Sequence, residues 1–241
     1  MTHGLSARYS NETLFIDFHS PQTANAFSDE TANELVRLLK KHSKARVLVW
    51  RSRGERIFCG GGNLQKYAAM KKKQQGLKSH HKIKKALDHL QKFSCRKLVI
   101  VEGDCFGGGM ELLSCFDEIW SVPQAAFGFW QRRVALTPGW GGFSRWCERV
   151  PIQQLKIWLK SSAPFGARLA FELGVVQRIV PNTFIENQLQ LWIENEKSLP
   201  EAPLRKLNEI SCRNEAKTFA QLWGKSEHLE ALQKFSKRNK K

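Results

Sequence analysis

Between Leu98 and Phe116 an apolar, β-branched run passes through glycines into a helical pattern, and this stretch narrows the choice of fold more than any other. Leu98-Val99-Ile100-Val101 contains no polar residue and reads as a buried strand. Gly107-Gly108-Gly109 follows, and Leu112, Leu113 and Phe116 then recur at helical spacing. Where a strand turns through glycine into a helix, the first N–H groups of the helix have no partner within it and point at whatever sits above the turn. Glu111 lies one short step into that helix, so a carboxylate borders the same spot. Backbone that favours negative charge beside a titratable side chain makes a candidate site.

Two more glycine turns precede helical patterns. Phe58-Cys59-Gly60-Gly61-Gly62-Asn63-Leu64 leads into Gln65 to Ala68, and Thr137-Pro138-Gly139-Trp140-Gly141-Gly142 leads into Phe143, Trp146 and Val150. Around them, Leu14–Phe18, Arg46–Trp50 and Ala125–Phe129 read as strands. Ser28 ahead of Asp29 and Glu30 is an N-cap signal for a helix with Leu35, Leu38 and Leu39 on one face. Pro151 starts another helix, and Ala167 to Leu173 forms one that stops at Gly174. The chain is helical in pattern from Thr183, broken by Pro200 and Pro203. Alternating strands and helices predict an α/β fold with parallel strands. No linker or repeat divides the chain, so residues 1–182 form the core and residues 183–241 a helical segment of the same functional unit.

The 241 residues suffice for one sizeable core, and no apolar run approaches the ~20 residues of a membrane span. The opening residues show no apolar signal region, and six cysteines are scattered without a Cys-x-x-Cys pair. Reduced thiols in a cytoplasmic protein are therefore expected, serving packing rather than nucleophilic chemistry. No cluster of Cys or His has metal-ligand spacing. The net charge of +17 favours polyanionic partners. Much of it lies in residues 66–97, where Ile83, Leu87 and Leu90 give an amphipathic helix a cationic outer face.

The glycine turns, their order and their spacing resemble the crotonase superfamily, the enoyl-CoA hydratase/isomerase family. The pieces that carry the likeness are Pro21 through Asn25-Ala26, the 58–64 turn, Gly103 through Leu112, Asp117, Phe127-Gly128 and Pro138 through Gly142. The resemblance implies a spiral of ββα units with C-terminal helices that pack on a neighbouring subunit, in a homotrimer or hexamer. It implies an acyl-CoA thioester as substrate, with CoA entering as part of that substrate and no separate cofactor. By the family pattern, Gly62 and Gly108 supply the two N–H donors that hold the thioester oxygen, and Glu111 is the acid/base. Substrate contacts fall on Gln131, Asn63, Ala24, Ala26, Lys66 and Trp140. Asp117 is expected to hydrogen-bond structure rather than substrate.

The chain also departs from the pattern. Hydratases of the family work with two glutamates, and the second position holds Gln131, whose amide exchanges no proton near neutral pH. Asn63 stands where aspartate is common. Trp140-Gly141-Gly142, Gln131, and Trp223-Gly224 followed by Leu229-Glu230-Ala231 are similar to the family's ethylmalonyl-CoA decarboxylase type. Decarboxylation leaves an enolate that needs an oxyanion hole and one acid. Hydratase or isomerase chemistry is the alternative within the family. Three readings of the basic stretch stand beside these: a solvated face, a site for CoA phosphates, and an RNA-binding surface like that of the family's AU-binding homologues, with little catalysis. Sparse aromatics there, Tyr67 and Phe93, leave RNA binding to electrostatics.

Overall fold

The computed structural model describes residues 4–52, 56–207, 220–222 and 225–230. The chain opens with an antiparallel hairpin, β1 (Leu5–Ser10) and β2 (Thr13–Phe18). Helix α1 (Asp29–Lys41) follows, with the Ser28 side chain accepting from the Thr31 N–H. Its acids sit in the first turn and Lys40 and Lys41 in the last, both matched to the helix dipole.

Three ββα units then succeed one another. The first is β3 (Val47–Arg51), β4 (Ile57–Cys59), the short α2 (Leu64–Ala68) and the long α3 (Lys73–Lys92). The second is β5 (Arg96–Val101), β6 (Asp104–Phe106) and α4 (Gly108–Leu113). The third is β7 (Glu118–Ser121), β8 (Ala126–Gly128), a 3-10 turn at Gln131–Val134, and α5 (Gly142–Cys147). Helix α6 (Ile152–Ser161), β9 (Phe165–Gly166), α7 (Ala167–Glu172), β10 (Arg178–Ile179), α8 (Ile185–Ser198) and α9 (Glu201–Leu207) complete the described elements.

The long strand of each unit joins one sheet, ordered β1-β2-β3-β5-β7-β10, parallel from β2 onward. The short strand joins a second sheet, β4-β6-β8-β9, parallel except at β9. Strands β3 and β5 read as continuous apolar runs because they are covered on both faces. Helices α1 and α3 pack together over the sheet through Leu35, Leu38 and Leu39 on one and Ile83, Leu87 and Leu90 on the other.

The expected α/β spiral with closing helices is the observed architecture. Strands β1, β4, β6, β7, β9 and β10 add to the expected set. Pro200 separates α8 from α9 as anticipated, but Pro203 lies in the first turn of α9 and breaks nothing. An early helical position tolerates proline, because its N–H would have no intrahelical partner. Helix α8 packs on the sheet of its own chain, burying Ile185, Leu189 and Trp192. Arg51 fastens it there, bonding Glu102 at 2.6 Å and Glu186 at 2.5 Å. Burial works against the Arg51 charge, and these two carboxylates more than offset it, so its ionisation is raised.

Asp117 accepts from the Lys97 N–H at 2.7 Å, a structural bond. Burial pushes the thiols of Cys59 and Cys95 up to about 12 and that of Cys115 to about 11, so none is a ready nucleophile. Cys212, Trp223-Gly224, Ala231 and the basic tail 234–241 lie outside the described residues. No helix among the described residues is long and apolar enough to cross a membrane.

Candidate active site

Because β4, β6 and β8 are parallel neighbours, the turns at their C-terminal ends emerge side by side. These are Gly60–Gly62, Gly107–Gly109 and Phe129–Gln131. The Gly107 N–H donates to the Gly128 carbonyl at 2.8 Å, which locks the second turn to the third. Gly61 holds the first turn against the second: its φ is +101°, and a Cβ there would fall 2.9 Å from the Gly108 nitrogen. Only glycine permits both the conformation and the approach.

The backbone pairing leaves two N–H groups over. Phe27 bridges the first turn by donating to the Gly61 carbonyl at 2.7 Å and accepting from the Asn63 N–H at 3.3 Å. That pattern uses the groups on either side of Gly62 and turns the Gly62 N–H to the opposite edge. Gly108 is the first residue of α4, so its N–H has no partner four residues back. Among the described residues, no hydrogen bond takes either N–H. Both glycines line one pocket of about 120 Å3.

Glu111 is buried at 2 % exposure in the wall of that pocket. Its Oε2 accepts from the Trp140 N–H at 2.7 Å and the Gly142 N–H at 3.0 Å. Its Oε1 accepts from the Gly139 N–H at 3.2 Å and from Gln131 Nε2 at 3.3 Å. The third glycine turn is thus folded around this carboxylate, and a Cβ on Gly142 would collide with the Glu111 side chain. Gln131, the residue in the second acid position, touches Glu111 directly.

Two aromatic rings roof the glycines. The Trp140 indole covers Gly108 closely enough that a Cβ there would collide with it. The Tyr67 ring covers Gly62, where a Cβ would lie 2.6 Å from Cε2. His80 of α3 stacks on Tyr67 with centroids 5.1 Å apart. Burial, then the negative charges of Asp29 and Glu111, raise the Tyr67 phenol well above its usual ionisation, and the nearby Trp140 side chain offsets this only in part.

The structure therefore brings Gly62, Gly108, Glu111, Gln131 and Trp140 together around one pocket. The other expected contacts stand behind it. Asn63 is the N-cap of α2, accepting from the Lys66 N–H at 3.0 Å. Ala24 and Ala26 flank the first turn, the Ala24 carbonyl accepting from the Gly60 N–H at 2.9 Å. Lys66 is paired with Glu30 at 2.5 Å on the surface. Hydrogen bonds from Lys66 and then Ser28 hold the Glu30 carboxyl down at about 2. On α3, Lys82 pairs with Asp29 and Lys84 with Asp88, so the cationic face is partly neutralised.

Sequence reasoning missed Tyr67 and His80 as pocket residues. A signal existed for Tyr67. Side chains of a helix lean toward its N-terminus, so one turn after the Asn63 cap a ring folds back over Gly62. Nothing local marks His80, which arrives from another helix.

Comparisons with known proteins bear on the family and the fold. The family model for enoyl-CoA hydratase/isomerase matches residues 8–237. Among curated proteins, the ethylmalonyl-CoA decarboxylase of Mus musculus is 23 % identical over 93 % of this chain and 75 % of its own length. That of Xenopus tropicalis is 24 % identical over 96 % and 82 %. Among solved structures, an enoyl-CoA hydratase from Bacillus anthracis superposes with a TM-score of 0.90 at 22 % identity, covering 98 % of this chain and 97 % of that one. The chain thus belongs to the enoyl-CoA hydratase/isomerase family, and as a member of it is an acyl-CoA-processing enzyme.

Proposed function

We propose that this enzyme decarboxylates a short, substituted malonyl-CoA through a thioester enolate. The observation that carries the reading is the Gln131–Glu111 contact, 3.3 Å between Nε2 and Oε1. The position that a second acid would occupy holds a neutral amide, bound to the first. Two carboxylates so close would resist joint ionisation and would repel a substrate that brings its own. An amide removes both difficulties.

In this reading the thioester oxygen accepts from the N–H groups of Gly62 and Gly108. The bond between the α-carbon and the substrate carboxylate breaks, its electron pair passes into the enolate, and CO2 leaves. Preorganised donors favour the charge that develops on the oxygen, each worth on the order of 2.7–4 kcal/mol of barrier. A solvent proton taken up by the Glu111 carboxylate is then delivered to the α-carbon, which returns Glu111 to its ionised form. Oε1 is the oxygen suited to that task, because its two partners are the longer ones and one is a side chain that can swing aside. Oε2 stays fixed on the backbone. The pocket of about 120 Å3 suits a short acyl substituent. The similarity to ethylmalonyl-CoA decarboxylases points the same way.

The test is incubation with ethylmalonyl-CoA, methylmalonyl-CoA and crotonyl-CoA, read by mass spectrometry. Loss of CO2 from a malonyl compound, without hydration of crotonyl-CoA, is expected. Hydration of crotonyl-CoA with both malonyl compounds untouched would overturn the decarboxylase reading.

A further inference from the structure

The Tyr67 hydroxyl is a polar atom of the pocket that neither the fold nor the reaction just described employs. Its oxygen is buried beside the Trp140 side chain, which can only donate to it, and among the described residues no acceptor takes the hydroxyl proton. A buried hydroxyl without an acceptor costs stability and calls for an explanation. Its position supplies one. The ring lies over Gly62 so that a Cβ at that glycine would be 2.7 Å from the hydroxyl oxygen, while Trp140 covers Gly108 beside it. The hydroxyl therefore stands at the mouth of the turns that leave two N–H groups unclaimed.

We propose that Tyr67 is a catalytic residue of this site, its hydroxyl donating a third hydrogen bond to the thioester oxygen held by the N–H groups of Gly62 and Gly108. The proposal rests on the enolate reading above and names the side chain that completes it. The protein itself offers the hydroxyl no acceptor. Both Glu111 oxygens are occupied by four N–H donors. Asp29 accepts from Ser79 and pairs with Lys82. Gln131 Oε1 is unpartnered in the same pocket, yet makes no bond to Tyr67. The acceptor has to arrive with the ligand.

The ring is placed to keep this role. The start of α2 at the Asn63 cap sets the direction of its Cβ, and stacking on His80 fixes its plane at 25° to the imidazole. Burial and the neighbouring carboxylates keep the phenol protonated, hence a donor, wherever the enolate forms. A neutral donor at an enolate oxygen strengthens its bond as charge develops, the condition for lowering a barrier rather than merely binding substrate.

The experiment uses acetoacetyl-CoA, a β-keto thioester whose enolate absorbs at longer wavelength than its keto form. It is titrated into the full-length wild-type chain and into Tyr67→Phe, which keeps the ring and its stack on His80. Free CoA is titrated into both as a control. The wild type is expected to develop the enolate band. The variant is expected to bind CoA equally and to need a pH at least one unit higher, a tenfold change in proton activity, to develop the same band. Turnover in the variant should fall on the order of 10²-fold. Equal bands in the two proteins would overturn the role of Tyr67 and leave the enolate reading intact. A parallel loss of CoA affinity would mark Tyr67 as scaffold and overturn the role as well. CoA binding with no enolate band in the wild type would overturn the enolate reading, and the role of Tyr67 with it.

Discussion

The turn after β4 and the turn after β6 each leave one N–H group unclaimed, yet they are held in different ways. Gly62 is set by a backbone bridge to Phe27 and roofed by Tyr67, a half-buried ring on a helix of five residues. Gly108 begins α4 and is roofed by Trp140, which is 2 % exposed and whose own N–H is tied to Glu111. One donor thus has a roof held by a ring stack, the other a roof bolted to a buried carboxylate. Matching donors need not be matched in rigidity.

The largest effect expected of a change that strikes only one side is from Glu111→Gln. It replaces one of the two oxygens that accept from Gly139, Trp140 and Gly142 and leaves the packing of Tyr67 on Gly62 unchanged. The amide NH2 then faces backbone donors, leaving buried N–H groups unsatisfied at about 1–3 kcal/mol each. Thermal denaturation should show that loss, and turnover should fall by about 10²–10⁴-fold with the proton carrier removed. Unchanged stability would show that the third turn does not depend on the carboxylate.

Next come the alanine substitutions at the two glycines. Gly108→Ala drives a Cβ into a ring with nowhere to go, costing about 1–3 kcal/mol of overpacking and most of the activity. Gly62→Ala meets Tyr67, which is half-buried where Trp140 is 2 % exposed and has more room to yield, so stability should fall by less than half as much. Equal losses, measured by urea unfolding, would erase the contrast between the two roofs.

The smallest effect belongs to the ion pair that ties α2, and with it Tyr67, to α1. Glu30 is held at about 2 by Lys66 and Ser28, below its ordinary 4.5. A carboxyl held low contributes fully above its unfolded value, and the contribution drains away as the pH falls from about 4.5 toward 2. The pair is surface-exposed, so its share stays under about 1 kcal/mol. Unfolding of Glu30→Gln beside wild type at pH 6 and pH 2.5 should show a larger difference at the higher pH, and a smaller one in high salt.

Much of the fold was legible in the residues. Val47–Trp50 and Leu98–Val101 are buried on both faces and therefore apolar throughout, which makes them unmistakable as strands. Ser28 and Gly174 marked a helix start and a helix stop, and both hold, Gly174 with φ +76°. The short strands were illegible for the opposite reason. β6 and β10 span three and two residues, too few to display a period, and they exist because a neighbour is there to pair with. Pro203 misled because proline breaks a helix only beyond its first turn.

For the site, the sequence by itself determined the parts that have to be glycine or carboxylate. Gly61, Gly62, Gly108 and Glu111 are set by backbone conformation, close approach and charge, each of which leaves a mark on residue choice. What only the tertiary structure decided is how those parts face one another. The parallel pairing of β4, β6 and β8 brings residues more than forty positions apart into one pocket and sets Gln131 on Glu111. It also stacks His80 of α3 on the Tyr67 ring, whose hydroxyl stays buried without an acceptor. Contacts across the fold leave no local pattern, because any side chain of fitting size and polarity can make them. A hydroxyl short of an acceptor shows its meaning only once everything around it has found a partner.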